Sequence, residues 1–339
     1  MRNLRSGLVA GLACLLAVSG GAQKAAVSGD PQLLPTSQLL SGPGPTFTLD
    51  GKGLHKPVSV IMYGDMRFTD AANVVETNPI ARQALVRRIA AETPDAVMLS
   101  GDVPLRGGVA NNYVVFKKET EPWRAAGLRV YPALGNHEFL GCPNSQDCLD
   151  AWWDVFPELK GRRWYSVLLG KEIYLMAVDS DAPLTAGSDQ AKWIQQQLAG
   201  LPKGVRYVLI AMHHPPMADP LPGSDHNPRV NEQALLPLLR DAAKAGRAQI
   251  IVSAAHIHNY ERFEQDGVTY LVSGGGGAKP LLVARTGADK YQGASFPNYH
   301  YVKFTLKKDR LECAMYRMVE PINAHSTWEA RDTWVVLKK

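Results

Sequence analysis

Apolar residues along the chain gather into short runs that repeatedly stop at a glycine followed by a polar group. The run at 57–63 (P-V-S-V-I-M-Y) predicts a buried strand ending at Gly64 and Asp65. Residues 96–100 (A-V-M-L-S) predict another, delivering Gly101-Asp102-Val103, and 129–134 (R-V-Y-P-A-L) a third, delivering Gly135-Asn136-His137-Glu138. Between them, 79–91 carries the 3.6-residue apolar spacing of a helix, with Ile80, Ala84, Leu85 and Ile89 near one face, and 111–126 predicts a second helical region.

The middle of the chain continues the alternation. Strands are expected at 164–169 and 173–178, joined at Gly170 and Lys171, then a helix at 189–198 and a strand at 206–212 that runs into His213-His214-Pro215-Pro216. The two prolines cannot continue a ladder and make a rigid exit. A helical pattern at 231–245 leads to a strand at 248–254 and then to A-H-I-H-N-Y-E-R-F at 255–263. Beyond it, Asp266-Gly267 predicts a turn before a strand that ends in the glycine run 274–277, and 301–306 with 311–318 predict a hairpin. Strands alternating with helices, each strand ending in chemistry, predict an α/β fold whose site lies outside the strand C-termini.

Those strand ends present carboxylates, an amide and imidazoles, a donor set suited to divalent or mixed-valence cations. Asp102 is placed to bridge two ions. Asp65 suits the first, with Asn136, His213 and His256 completing the second; His258, two residues from His256, shares its face if the segment is extended. His214 is a candidate substrate contact or a support for its neighbour, and His226, in a Pro/Gly-rich loop, a candidate to enter the pocket. Tyr260 and Glu261 are candidates to orient the last histidine motif, and Glu138 to orient His137 or cap the turn after it. The glycine run would let backbone approach the site closely; it has neither the spacing nor the G-K-[ST] context of a nucleotide loop.

G-D-M-R, G-D-V, G-N-H-E, M-H-H-P-P and A-H-I-H-N-Y-E-R-F stand in the order and approximate spacing of the calcineurin-like metallophosphoesterases, and the last segment with G-G-G-G most resembles the purple acid phosphatase branch. The resemblance spans about 58–305. It implies a double β-sandwich flanked by helices and hydrolysis of phosphate esters at a dinuclear centre of iron, manganese or zinc. By the same resemblance Asp65, Asp102 and His258 hold the first metal; Asp102, Asn136, His213 and His256 hold the second. His137 is then a non-ligand that contacts the phosphoryl group and protonates the leaving oxygen, and the attacking group is a metal-bound hydroxide.

Two positions depart from the pattern. Where many relatives place a histidine two residues after the first aspartate this chain has Arg67, and where purple acid phosphatases place a tyrosine three residues after the bridging aspartate it has Leu105. Both familiar choices of fourth protein ligand are gone. A guanidinium is a poor metal ligand and a good partner for phosphate or carboxylate, so Arg67 is expected on the substrate phosphate, and no iron–tyrosinate colour is expected. The substrate is expected to be a small phosphomonoester. The alternatives are a phosphodiesterase or nucleotide hydrolase, or a weakly active phosphate-binding protein.

The N-terminus changes where this chemistry is expected to happen. Arg2 and Arg5 precede a short apolar run from Gly7 to Val18 and the small residues Ser19, Gly20, Gly21 and Ala22, the pattern of a secretory signal peptide spanning 1–22. The run is too short for a comfortable membrane span. Residues 23–50, including S-G-P-G-P, are expected to be a flexible lead-in, and 51–339 one metallophosphoesterase domain. Export makes a Cys142–Cys148 disulfide the expected state, leaving Cys313 as a buried thiol. Part of the +5 net charge belongs to the first residues, and no basic stripe accompanies the aromatic residues, so a nucleic-acid-binding module is not expected. Oligomeric state is left open.

Overall fold

A computed structural model describes residues 44–293, 296, 298–320, 322–323 and 325–338. The expected signal peptide and most of the expected lead-in lie outside these residues. Among the described residues the strands are β1 (Phe47–Leu49), β2 (Ser59–Tyr63), β3 (Ala96–Leu99), β4 (Val130–Pro132), β5 (Tyr165–Leu169), β6 (Ile173–Ala177), β7 (Tyr207–Ala211), β8 (Gln249–Ala254), β9 (Tyr260–Gln265), β10 (Val268–Ser273), β11 (His300–Leu306), β12 (Arg310–Met318) and β13 (Trp328–Leu337). The helices are α1 (Pro79–Glu92), α2 (Ala110–Glu119), α3 (Glu121–Ala125), α4 (Ser145–Val155), α5 (Asp189–Ala199), α6 (Val230–Gln233) and α7 (Leu235–Lys244).

The strands form two mixed sheets, ordered β1-β5-β6-β7-β8-β10-β9 and β13-β12-β11-β2-β3-β4. Period-two alternation sorts their side chains. On β7, Tyr207, Leu209 and Ala211 join the core shared by both sheets, whereas Val208 and Ile210 join a second core against Ile194 and Leu198 of α5 and Leu235 and Leu239 of α7. This is the expected helix-flanked double sandwich. Within it β2, β3 and β4 run parallel, as do β6, β7 and β8, so the polar residues that follow these strands collect at one end.

The helix boundaries follow local chemistry. Asn78 caps α1 by accepting from Ala81 N, with Pro79 in the first turn, and Thr93 closes it in a left-handed conformation. Ile80 does not join the apolar stripe as expected: it is half exposed, while Ala81, Leu85 and Ile89 are buried. The single helical region expected at 111–126 is two helices, because Thr120 Oγ1 bonds back to Phe116 O and Pro122 opens α3. The pattern at 231–245 likewise divides, at Ala234.

Four elements were not anticipated. β1 lies within the segment expected to be a flexible lead-in; it pairs parallel with β5, so ordered structure begins earlier than residue 51. α4 follows the site turn, capped by Asn144. β9 pairs with β10 across the Asp266-Gly267 turn, and β13 pairs antiparallel with β12. β13 is anchored to β9 by Arg262, whose Nε donates to Asp332 Oδ2 at 2.8 Å and whose guanidinium lies over Trp334.

Candidate metal centre

The loops after β2 and β3 are zipped together before any side chain is considered. Asp65 N donates to Gly101 O, Arg67 N to Asp102 O and Phe68 N to Val103 O. Asp65, Arg67 and Asp102 all have positive φ, at 61°, 48° and 55°, and His256 joins them at 69°. Four non-glycine residues in this sparsely populated region within one site mark backbone strain held by its surroundings. One restraint is Arg82, fully buried on α1, which pairs with Glu119 and donates to the carbonyls of Arg67 and Thr69. Another is Glu138: its Oε2 accepts from Asp102 N and Gly135 N, and its Oε1 from Val103 N at 2.8 Å. Glu138 therefore joins the β3 and β4 loops rather than orienting the His137 ring.

The two sheets meet at His213. Its Nδ1 lies 3.0 Å from Ser100 O. A carbonyl only accepts, so Nδ1 carries the proton and Nε2 is a bare lone pair. That Nε2 lies 2.9 Å from Asn136 Oδ1, 3.2 Å from Asp102 Oδ1 and 3.3 Å from His256 Nδ1. Asp102 Oδ1 and Asn136 Oδ1 bring only lone pairs to that bare nitrogen, and lone pairs converging without a proton repel one another. Around one cation with bonds of about 2.1 Å, however, neighbouring donors stand roughly 3.0–3.4 Å apart. The set fits a metal ion.

A second group lies beside it. His258 Nδ1 is 2.7 Å from Lys279 O, which again leaves a bare Nε2, here 3.7 Å from Asp65 Oδ1. That Nε2 and both Asp65 oxygens are buried with no hydrogen-bond partner among the described residues. Orphaned buried donors of lone pairs are costly unless a cation satisfies them, so this group fits a metal as well. His256 and His258 do not sit on an extended strand as expected. They lie in a bent segment between β8 and β9, and the left-handed His256 aims the pair. The glycine run approaches closely: a β-carbon at Gly274 would collide with Asp65 Oδ2 and Ile257 O. Buried His300 supports that run through Ser273 Oγ, a role with no local sequence signal.

Asp102 divides its oxygens. Oδ1 accepts from His137 N at 3.0 Å and faces His213, while Oδ2 accepts from Arg67 Nε at 3.3 Å and Nη2 at 3.2 Å. Burial acts to raise the Asp102 carboxyl, but the charges of His137 and Arg67 outweigh it and hold Asp102 below the usual carboxylate value. Asp65 goes the other way, raised well above that value by burial and then by the charge of Asp102. Two buried carboxylates share one guanidinium, and Asp65 is the uncompensated one.

His137 is locked by the residue that replaces the expected tyrosine. Its Nδ1 lies 2.5 Å from Leu105 O, so Nε2, 3.8 Å from Asp102 Oδ2, is the atom that gains and loses a proton. Burial lowers its pKa, with Asp102 opposing. His214 faces Ser180: its backbone N and Nδ1 lie 3.0 and 2.9 Å from Ser180 Oγ, and its ring is 4.3 Å from that of His256. Burial and the neighbouring His213 push His214 down to about 2, so it is neutral. The His226 ring does reach the pocket, 4.8 Å from His256 and 6.2 Å from His258. Its loop is held by Glu261 Oε1, which accepts from Asp219 N, and by Thr286 N donating to Asp219 Oδ2. Glu261 thus braces the loop of His226. Tyr260 hydrogen-bonds Asp332. The Cys142–Cys148 disulfide is present, Cys313 is a buried thiol, and no helix among the described residues is long and apolar enough to cross a membrane.

The family model described as calcineurin-like phosphoesterase matches residues 55–260. Among solved structures, the purple acid phosphatase PPD1 from yellow lupin (Lupinus luteus) seeds superposes with a TM-score of 0.66 at 19% identity, over 83% of this chain and 53% of that one. The chain thus spans about half the length of the lupin protein. A dimetal phosphatase from Danio rerio gives 0.55 at 13% identity, over 81% of this chain and 100% of that one. The structure of PhoD also gives 0.55, at 10% identity, over 87% of this chain and 72% of that one. These likenesses concern the fold. No curated protein matches the sequence.

Proposed function

The chain belongs to the calcineurin-like phosphoesterase family and is a metal-dependent hydrolase, and from that premise we propose that it is an exported enzyme hydrolysing small phosphomonoesters at a two-cation centre. The convergence of Asp102 Oδ1, Asn136 Oδ1 and His256 Nδ1 on the unprotonated His213 Nε2 carries this reading. These four residues would hold one cation, and Asp65, Asp102 and His258 would hold the second, with iron, manganese or zinc as the expected metals. When bound, the cations supply Lewis acidity toward phosphoryl oxygens and acidify water.

The chain's own residues do the rest. His137 Nε2, fixed by the Nδ1 contact to Leu105 O, passes its proton to the leaving alkoxide. Arg67 was expected to spend its guanidinium on substrate phosphate; two of its nitrogens are instead committed to Asp102. Its Nη1 has no hydrogen bond among the described residues and takes a phosphoryl oxygen. His214 touches His256 and supports it, with Ser180 fixing its ring. His226 closes the side of the pocket over His256 and His258. This surround of cation and imidazoles favours the dianionic terminal phosphate of a monoester over a diester.

One catalytic domain, beginning with β1 and running to the C-terminal strand, is part of the proposal. Export to the periplasm or the extracellular space is supported by the charged start and short apolar run of the sequence and by the Cys142–Cys148 bridge. Steady-state kinetics on matched mono- and diesters, with metal content measured on the same samples, test the substrate assignment. A higher kcat/KM for the monoester is expected; preference for the diester overturns it.

A further inference from the structure

We infer that Arg67 is a tethered competitor for the cation of the Asp65 and His258 side, so that the centre fills in two unequal steps. The inference rests on the two-cation reading and assigns that centre its order of loading. The side built on Asn136, His213 and His256 fills first, and the side built on Asp65 and His258 fills only as Arg67 leaves Asp102.

The asymmetry is already present in Asp102. Its Oδ1 faces the unprotonated His213 Nε2 at 3.2 Å, while both donors of Arg67 close on Oδ2. An ion on the Asp65 side that uses this oxygen must take it from a permanent cation. The charge count points the same way. Asp65 and Asp102 contribute two negative charges and Arg67 returns one positive, all at sites that are buried or nearly so. A histidine or tyrosine ligand in place of Arg67 and Leu105 would add a lone pair and no cation.

The competitor is also hard to dislodge by drift of the loop. Arg67 N donates to Asp102 O, and Arg67 O accepts from Nη1 of Arg82, whose Nε and Nη2 pair with Glu119. Only the side chain is left to move, by changing rotamer toward the pocket opening, where it is 13% exposed. A phosphate arriving at Nη1 offers the guanidinium a second anion, so substrate and second ion load together. On the opposite side, no lysine or arginine among the described residues sits on Asp102 Oδ1, Asn136 Oδ1 or His256 Nδ1.

The test is titration of the metal-free full chain with Mn²⁺ alone, followed by calorimetry and by elemental analysis after dialysis. Electron paramagnetic resonance reports the spin coupling of paired Mn²⁺ ions. The native protein is expected to take one ion tightly and the second at least about tenfold more weakly. Arg67→Met and Arg67→Gln, checked for folding by circular dichroism, are expected to tighten the second step at least about tenfold and bring up the coupled signal at lower Mn²⁺. Arg67→Lys, which keeps the charge, should stay near the native ratio. Two equal steps in the native protein, or an unchanged second step in both neutral variants, overturns the inference while leaving the centre intact. Failure of the native protein and every variant to bind any Mn²⁺ overturns the two-cation reading itself.

Discussion

Replacing His213 by alanine removes the nitrogen on which Asp102, Asn136 and His256 converge. Loss of the tighter ion, read by elemental analysis, is the expected outcome, with hydrolysis lost alongside it. His137 separates from this set. Its Nδ1 is spent on Leu105 O and its Nε2 approaches Asp102 only at 3.8 Å, so His137→Ala should keep metal content and lower kcat by about 10²–10⁴-fold. The loss should be larger for an alkyl phosphate than for 4-nitrophenyl phosphate, whose leaving group needs no proton; equal losses would remove the acid role. Glu138 answers differently again. Three backbone N–H groups point at its carboxylate, so Glu138→Gln sets an N–H donor against one of them and should cost about 1–3 kcal/mol in a urea unfolding curve.

At the scale of elements, strand ends were readable in the sequence because a buried strand is a continuous apolar run and its end is a glycine. Asp65, Asp102 and Asn136, each after a glycine, and His213, directly after the apolar run that ends at Met212, are singled out in this way. What holds them was less legible. Arg82 looks like an ordinary helix arginine until the fold buries it under the Arg67 loop, and His300 has no motif around it at all. β1 and β13 escaped notice because edge strands are short or half polar, and pairing with β5 and β12, not local pattern, decides them. The start of α4 is hidden in the sequence, because its first turn lies inside the short stretch between Cys142 and Cys148. Closing that loop across six residues should stabilise the fold by about 2 kcal/mol on chain entropy, measurable as the difference between the native protein and Cys142→Ala/Cys148→Ala.

The loop of His226 adds a dependence on pH. Burial raises Glu261 from 4.5 to about 8, and its Oε2 has no hydrogen-bond partner among the described residues. The folded state therefore keeps a proton that the unfolded chain releases between those values. Stability contributed by this proton is full below about pH 4.5 and is lost as pH rises toward 8, at a slope of about 1.4 kcal/mol for each pH step of one. Glu261→Gln keeps an acceptor for Asp219 N and should flatten this part of the unfolding midpoint between about pH 5 and pH 8.5; a native protein with the same slope as the variant would contradict it.

For the whole molecule, the double sandwich is a device for bringing two sets of parallel strands to one end. β2, β3 and β4 supply one half of the proposed centre and β7 and β8 the other, and the bond between His213 Nδ1 and Ser100 O pins the halves together. Helices α5 and α7 bury the far face of the larger sheet and leave the strand ends to solvent and substrate. A chain arranged this way should depend on cations for chemistry rather than for its main core, because most of its buried apolar residues lie away from the centre. The most direct test is hydrolysis of 4-nitrophenyl phosphate by the full chain after exhaustive chelation, with bound metal counted at each point of a Mn²⁺ or Zn²⁺ re-addition. Turnover that vanishes on chelation and returns with bound metal, from a protein that stays folded throughout, is the predicted result. Turnover that survives the loss of all metal would contradict the account.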